Sequence, residues 1–189
     1  MHKQSKEFFD KFQMIFSPNS EFREKAVDCY NRNTAFTNFI IERINKIIES
    51  MGYMSQNEYL RIDAIGYTTK KENLEPLPGL NAHLWDLQIA VEHENDPKDW
   101  LDEVVKLSHI CCPLRVIIGY VPAECRNTDE DRLEYASKIL QQLQCKDNLR
   151  FREFMVVLGN SGVKTENDYF NYKAYVLNHE TFMFDPLEV

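Results

Sequence analysis

The sequence predicts an α/β fold in which a mixed central β-sheet is flanked by helices. Helical periodicity and short strand-like runs alternate along the chain, and the run from Leu114 to Tyr120 is almost continuously apolar. A strand of that composition is typically buried on both faces, which places helices on each side of the sheet. At 189 residues and 43% hydrophobic composition, the chain is large enough for one packed core, so we expect a single domain over residues 1–189.

The first part of the chain predicts three helices. Phenylalanines recur at helical spacing between Ser5 and Phe16, and Glu21 to Tyr30 carries a second, shorter helical pattern. We interpret residues 1–34 as a helical lead-in. A longer amphipathic helix follows from Ala35 to Met51, and Gly52 provides its C-terminal cap.

The middle of the chain predicts strands joined by a crossover helix. Glu58 to Thr68 is short and rich in strand formers, and Leu84 to Glu94 alternates apolar with polar residues. Pro97 suits the first position of a helix that ends near Pro113. With the buried strand from Leu114 to Tyr120, these segments predict a right-handed β-α-β unit.

The last third of the chain, residues 121–189, predicts one helix and added strands. The helical pattern runs from about Asp129 to Leu143. Strand-like runs follow from Phe151 to Leu158 and from Tyr172 to Leu177, separated by a glycine- and asparagine-containing turn region.

Composition limits where the protein works and what it binds. The longest apolar runs are far shorter than the roughly 20 residues that cross a bilayer, and no hydrophobic signal region follows the N-terminus, so we expect a cytoplasmic protein without a membrane partner. Five cysteines without a CxxC pair indicate reduced thiols. The formal charge of -8 argues against general nucleic-acid coating, so any nucleic-acid contact is expected to use a local patch.

Acidic residues mark a candidate metal site. Glu92 and Glu94 are two apart on a predicted strand, so they project from one face with Cα atoms roughly 6.6 Å apart. Asp63 lies on the preceding strand and can stand opposite them if the strands pair. Carboxylate oxygens suit Mg²⁺ or Mn²⁺. The alternative is that Glu92 and Glu94 belong to the solvated face of a one-sided sheet; their position before a crossover helix, where open α/β sheets place ligand sites, favours the metal site.

Asp63, then Glu92-His93-Glu94 on the following strand, then a crossover helix and a buried strand resemble the PD-(D/E)xK nuclease family. The resemblance spans residues 35–120 and implies a restriction-endonuclease-like core. It also implies that one or two divalent metals, Mg²⁺ or Mn²⁺, activate water for phosphodiester cleavage. The helix glutamate of the family matches Glu42, which makes Glu42 an outer metal ligand; a solvated helix-face glutamate is the alternative.

The chain departs from the family pattern at the third motif position. The family usually has lysine there, and this chain has Glu94. Some restriction enzymes of the family also carry glutamate, and others have moved the lysine to the adjacent helix, where Lys106 matches. The resemblance thus implies that Asp63, Glu92 and Glu94 hold the metal and that Glu94 or Lys106 positions the attacking water. The alternative for Lys106 is an exposed ion pair with Asp102 or Glu103.

Other catalytic chemistries are poorly supported. The histidines lack HxxH or HExxH spacing, and no phosphate-binding glycine loop is present. The His93 ring should point away from Glu92 and Glu94, which indicates a structural role, although its backbone carbonyl could add a metal ligand.

Two function classes follow. The first is a divalent-metal-dependent nuclease, and the second is a catalytically silent domain of the same fold that binds a protein partner. A phosphate-binding patch of Arg61, Lys70, Lys71 and Lys98 near the acids would favour the first; a large exposed apolar patch would favour the second.

Overall fold

The structure is a computed structural model and describes residues 2–30, 32–69, 84–97, 100–122, 129–143, 149, 152–161 and 169–188. Five helices lie in these ranges: α1 Lys3–Phe16, α2 Arg23–Tyr30, α3 Asn33–Ser50, α4 Trp100–Ser108 and α5 Asp129–Gln142. The strands are β1 Met54–Tyr59, β2 Ile62–Thr69, β3 Trp85–His93, β4 Leu114–Pro122, β5 Glu153–Ser161, β6 Lys173–Leu177 and β7 Phe184–Pro186.

All seven strands belong to one mixed sheet, in which neighbours in sequence are neighbours in space. The β3–β4 and β4–β5 pairs are parallel, and the other four pairs are antiparallel. Helices α4 and α5 lie in the two connections between parallel strands, as parallel pairing requires a crossover. The predicted α/β class with a mixed sheet is confirmed.

Helices cover both faces of the sheet. One apolar core joins α1, α2 and α3 to one face, and a second joins α4 and α5 to the other. Strand β4 contributes to both cores, with Val116 on the first and Ile117 on the second, and only Pro122 of its nine residues is not buried. The burial predicted for this strand on both faces is therefore confirmed. Within the described part of the chain, none of the helices has the length and apolar character needed to cross a membrane.

Strands β1 and β2 form a tight hairpin that the sequence did not predict. The expected single strand from Glu58 to Thr68 is wrong at its start, because Tyr59 pairs with Ile62 across a turn formed by Leu60 and Arg61. Both turn residues have positive φ, 53° and 63°, which suits a two-residue hairpin. Glycine and asparagine, the usual signals for such a turn, are absent at both positions.

Candidate functional site

Pairing of β2 with β3 brings Asp63 beside Glu92. Ala64 pairs with Val91, so Asp63 and Glu92 are the next residues along these antiparallel strands. The backbone N–H of His93 donates a 2.8 Å hydrogen bond to Asp63 Oδ2. Glu92 is almost fully buried, with 2% of its surface exposed. Because a solvated sheet face would leave this side chain in water, the alternative interpretation of Glu92 is wrong.

Lys106 reaches the same point from the last turn of α4. Its Nζ lies 2.8 Å from Glu92 Oε1 and 2.5 Å from Glu103 Oε2, and it donates a 3.0 Å hydrogen bond to the carbonyl oxygen of Arg61. The ammonium thus joins β3, α4 and the β1–β2 turn. The predicted ion pair with Glu103 exists, but it is part of a larger group that includes a buried carboxyl.

Burial perturbs the protonation of both acids. It raises the pKa of Glu92 to about 8, with the negative charges of Asp63 and Glu103 acting in the same direction and Lys106 opposing them. Burial also raises the pKa of Asp63, against the lowering effect of the His93 amide. Burial and the neighbouring acids thus disfavour ionisation of Glu92, and Lys106 is the positive charge that favours it.

Glu94 lies near the group but has another contact. It follows the last residue of β3, and its backbone N–H donates to the carbonyl of Ile118 at 2.9 Å. Its Oε1 accepts a 2.7 Å hydrogen bond from the backbone N–H of Asp96. Its charge still reaches Asp63, whose pKa it helps to raise. Glu94 therefore contributes negative charge at the edge of the group while its carboxylate supports the following turn.

Glu42 is not brought to this group. Its carboxylate pairs with Lys25 of α2 at 3.5 Å and with Arg43, and half of the side chain is exposed. The chain after β3 meets α3 near the start of that helix, where Thr37 accepts a hydrogen bond from Asn95. Glu42 lies five residues further along, about 7.5 Å down the helix and about 140° around it. It fits the alternative of a solvated helix-face glutamate.

His93 points to the opposite face of the sheet, as strand alternation predicts. Its ring packs edge-on against Phe36 of α3, and Nε2 lies 2.9 Å from the hydroxyl of Tyr120. Burial lowers the pKa of His93 to about 3, so the ring is neutral at physiological pH. The ring is part of the core, and only the backbone of His93 reaches the acids.

Asp63 and Glu92 are two buried or partly buried carboxyls at this point that could take part in holding a metal ion. Among the residues that the structure describes, no group of three or more His, Cys, Asp or Glu side chains converges to hold a metal ion. Mg²⁺ typically takes one or two carboxylates and completes its coordination with water and substrate phosphate. Asp63 and Glu92 supply two such carboxyls, and the Lys106 ammonium shows that the buried oxygen of Glu92 accepts a cation.

Glu103 joins the site through its contact with Lys106, and the sequence did not predict that Glu103 belongs to the site. Its spacing of three residues from Lys106 was the available signal, and it indicated only an ordinary surface pair. In the structure the Glu103 side chain is 20% exposed, and Oε2 is buried. Of the expected phosphate-binding patch, Arg61 is exposed on the β1–β2 turn, and Lys70, Lys71 and Lys98 lie outside the described residues.

Comparison with protein families and with curated proteins identifies no relative. The chain matches no model of a protein family, and no curated protein matches it with significant similarity. The candidate site is therefore the group formed by Asp63, Glu92, Glu103 and Lys106, which we call the acid–lysine group.

Proposed function

We propose that the protein is a divalent-metal-dependent phosphodiesterase that acts on nucleic acid. The observation that carries the proposal is the convergence of Asp63, Glu92 and Lys106 from β2, β3 and α4. These residue types suit metal-assisted hydrolysis. They span 43 positions of the chain and meet where β2 begins and β3 ends. Perturbed, partly buried acids of this kind are typical of functional sites.

The element order supports the same proposal. Helix α3, the strands that bear Asp63 and Glu92, the crossover helix α4 and the buried strand β4 follow one another along the chain. This is the order that the resemblance to PD-(D/E)xK nucleases implies. Lys106 of α4, rather than Glu94, stands against Glu92, as in members of that family whose lysine has moved to the adjacent helix.

Each side chain has a definable task in this chemistry. When bound, a divalent cation supplies an activated water and neutralises charge on the scissile phosphate. Asp63 and Glu92 would hold the cation, and the His93 amide keeps Asp63 oriented by its hydrogen bond. Lys106 would keep a positive charge within the acid–lysine group, where it would orient the attacking water. The exposed Arg61 on the adjoining turn offers a local contact for a phosphate on a protein of net charge -8.

The proposal is tested by cleavage of labelled single- and double-stranded DNA and RNA in Mg²⁺ or Mn²⁺. We expect cleavage by the wild type that chelation abolishes, and its loss in Asp63→Asn and Glu92→Gln. Glu42→Gln is the matched control, because Glu42 lies outside the acid–lysine group, and it should retain activity. Calorimetric titration with Mn²⁺ should follow the same order. Full activity in Asp63→Asn, or no Mn²⁺ binding by the wild type, would overturn the proposal.

A second candidate function is a catalytically silent domain of this fold that binds a protein partner. The observation that favours it is an apolar groove between α1, α3 and the loop after α1, which includes Met14, Ile15, Phe22 and Ile47. Met14 is 69% exposed there, and exposed apolar surface is typical of interaction sites. Absence of metal binding in the titration above would favour this function.

A further inference from the structure

A divalent cation would have to compete with the Lys106 ammonium for Glu92. The ammonium lies 2.8 Å from Glu92 Oε1, and 3% of the Glu92 side chain is exposed. A divalent cation bound to the same carboxylate would stand only a few ångströms from the ammonium, where the two positive charges repel strongly in a buried setting. Entry of the cation therefore requires the ammonium to withdraw from Glu92.

Glu103 provides the position to which the ammonium can withdraw. Its Oε2 is 2.5 Å from Lys106 Nζ, closer than Glu92. Both residues lie on α4, three positions apart, so their contact does not depend on the strands. The carbonyl oxygen of Arg61 accepts a 3.0 Å hydrogen bond from Lys106 and is a further partner besides Glu92. The Lys106 ammonium can thus give up its contact with Glu92 and retain its contacts with Glu103 and the carbonyl oxygen of Arg61.

The charges of the acid–lysine group would balance if the Lys106 ammonium and a divalent cation occupied the site together. Asp63, Glu92 and Glu103 carry three negative charges when all are ionised, and Lys106 carries one positive charge. A divalent cation added to these four residues brings the total to zero. Without Glu103, the lysine and the cation would exceed the charge of Asp63 and Glu92 by one, and Glu94 at the edge of the group would be left to offset it.

We propose that Glu103 is a positioning residue, which retains the Lys106 ammonium in the site when a divalent cation takes over Glu92. This inference rests on the proposed function, because it presupposes a cation at Asp63 and Glu92. Glu103 thereby has a role beyond that of a surface partner of Lys106, because it allows the Lys106 ammonium and the metal ion to occupy the site together.

Calorimetric titration of the full chain with Mn²⁺ alone tests the inference. We expect Lys106→Met to bind Mn²⁺ more tightly than the wild type, because the competing ammonium is gone. Glu103→Gln should bind Mn²⁺ about 10-fold more weakly, a change typical of residues that support metal ligands. Glu103→Asp should restore part of the affinity. In the Lys106→Met background, Glu103→Gln should lose most of its effect, because no ammonium is left to retain.

Two controls separate this inference from the proposed function. Glu49→Gln removes the carboxylate of another helix ion pair, in which the Lys46 side chain is 65% exposed and the Glu49 side chain is 44% exposed. This variant should leave the Mn²⁺ affinity unchanged. Circular dichroism verifies folding, and Glu103→Asp serves if Glu103→Gln does not fold. If the wild type binds Mn²⁺ and both Glu103→Gln and Lys106→Met bind it with the wild-type affinity, the role of Glu103 is overturned. The proposed function is not affected by that outcome. No binding by the wild type would overturn the proposed function and this inference with it.

Discussion

The backbone N–H of His93 donates a 2.8 Å hydrogen bond to Oδ2 of Asp63. One residue thereby connects the two faces of the sheet, because the His93 ring extends to the other side and meets the hydroxyl of Tyr120 at 2.9 Å. The Tyr120 hydroxyl is in turn 3.3 Å from that of Tyr172. The orientation of Asp63 thus depends on core packing beneath α3 as well as on its own strand.

Glu92→Gln should stabilise the metal-free protein at alkaline pH. The pKa of Glu92 is about 8 in the folded protein, above its ordinary value, so the folded state holds a proton that the unfolded state has lost. Wild-type stability therefore falls as pH rises from about 4.5 to about 8, and the neutral glutamine is free of this loss.

Urea unfolding in EDTA at pH 4 and pH 9 measures the effect. The variant should be more stable than the wild type at pH 9, and the difference should shrink at pH 4. Glu42→Gln, at an exposed position on α3, is the control and should show no such dependence. A Glu92→Gln protein less stable than the wild type at pH 9 would contradict the assigned direction.

His93 should make the protein sensitive to acid. Burial lowers the pKa of His93 to about 3 in the folded state, so below about pH 6.5 the unfolded chain takes up a proton that the folded protein does not. The contribution of His93 to the free energy of unfolding is fully present above about pH 6.5 and decreases as the pH falls towards 3. His93→Gln should weaken this dependence, and His109→Gln, at an exposed position after α4, should not. Melting temperatures between pH 4 and pH 7 provide the measurement; parallel curves for the wild type and His93→Gln would refute it.

Leu60→Gly should stabilise the β1–β2 hairpin. Leu60 has φ of 53° and is 69% exposed, so its side chain gains little from burial while its backbone adopts a left-handed conformation. Glycine relieves that strain, and we expect a gain of about 1 kcal/mol. Gln56→Gly, at an exposed position within β1, should instead destabilise the protein. Chemical denaturation compares the two, and a loss of stability in Leu60→Gly would contradict the strain.

Gly119→Ala should destabilise the protein through α4. A Cβ on Gly119 would lie 2.9 Å from Cγ of Trp100, which is fully buried at the start of α4. Relief requires the helix that carries Lys106 to shift, at a cost of about 1–3 kcal/mol. The cost should fall in a Trp100→Phe background, where the smaller ring leaves space. Equal costs in both backgrounds, measured by urea unfolding, would exclude the contact as the cause.

Much of the fold follows from local patterns. The apolar run of β4 required layers on both faces, and the alternation in β3 separated His93 from Glu92. The β1–β2 hairpin could not be predicted in this way, because the Leu60–Arg61 turn lacks glycine and β1 is a mostly exposed, polar strand. Its conformation is selected by pairing with β2, which is a contact between segments rather than a property of either one. The short strand β7 was missed for the same reason.

For the candidate site, the sequence placed Glu92 at the end of a strand and Asp63 on the preceding strand, where the two carboxyls can meet if the strands pair. The position of Asp63 near the start of β2 follows from the β1–β2 hairpin, which the local pattern did not indicate. Tertiary packing selects the charged helix residues that join the two acids. The resemblance to PD-(D/E)xK nucleases made both Glu42 and Lys106 candidates. The path of α3 directs Glu42 towards α2, whereas the packing of α4 against the sheet directs Lys106 to Glu92. Strand partners follow from short-range alternation and register. Helix side chains reach a site only through the packing of the whole helix, which depends on residues far away in the sequence.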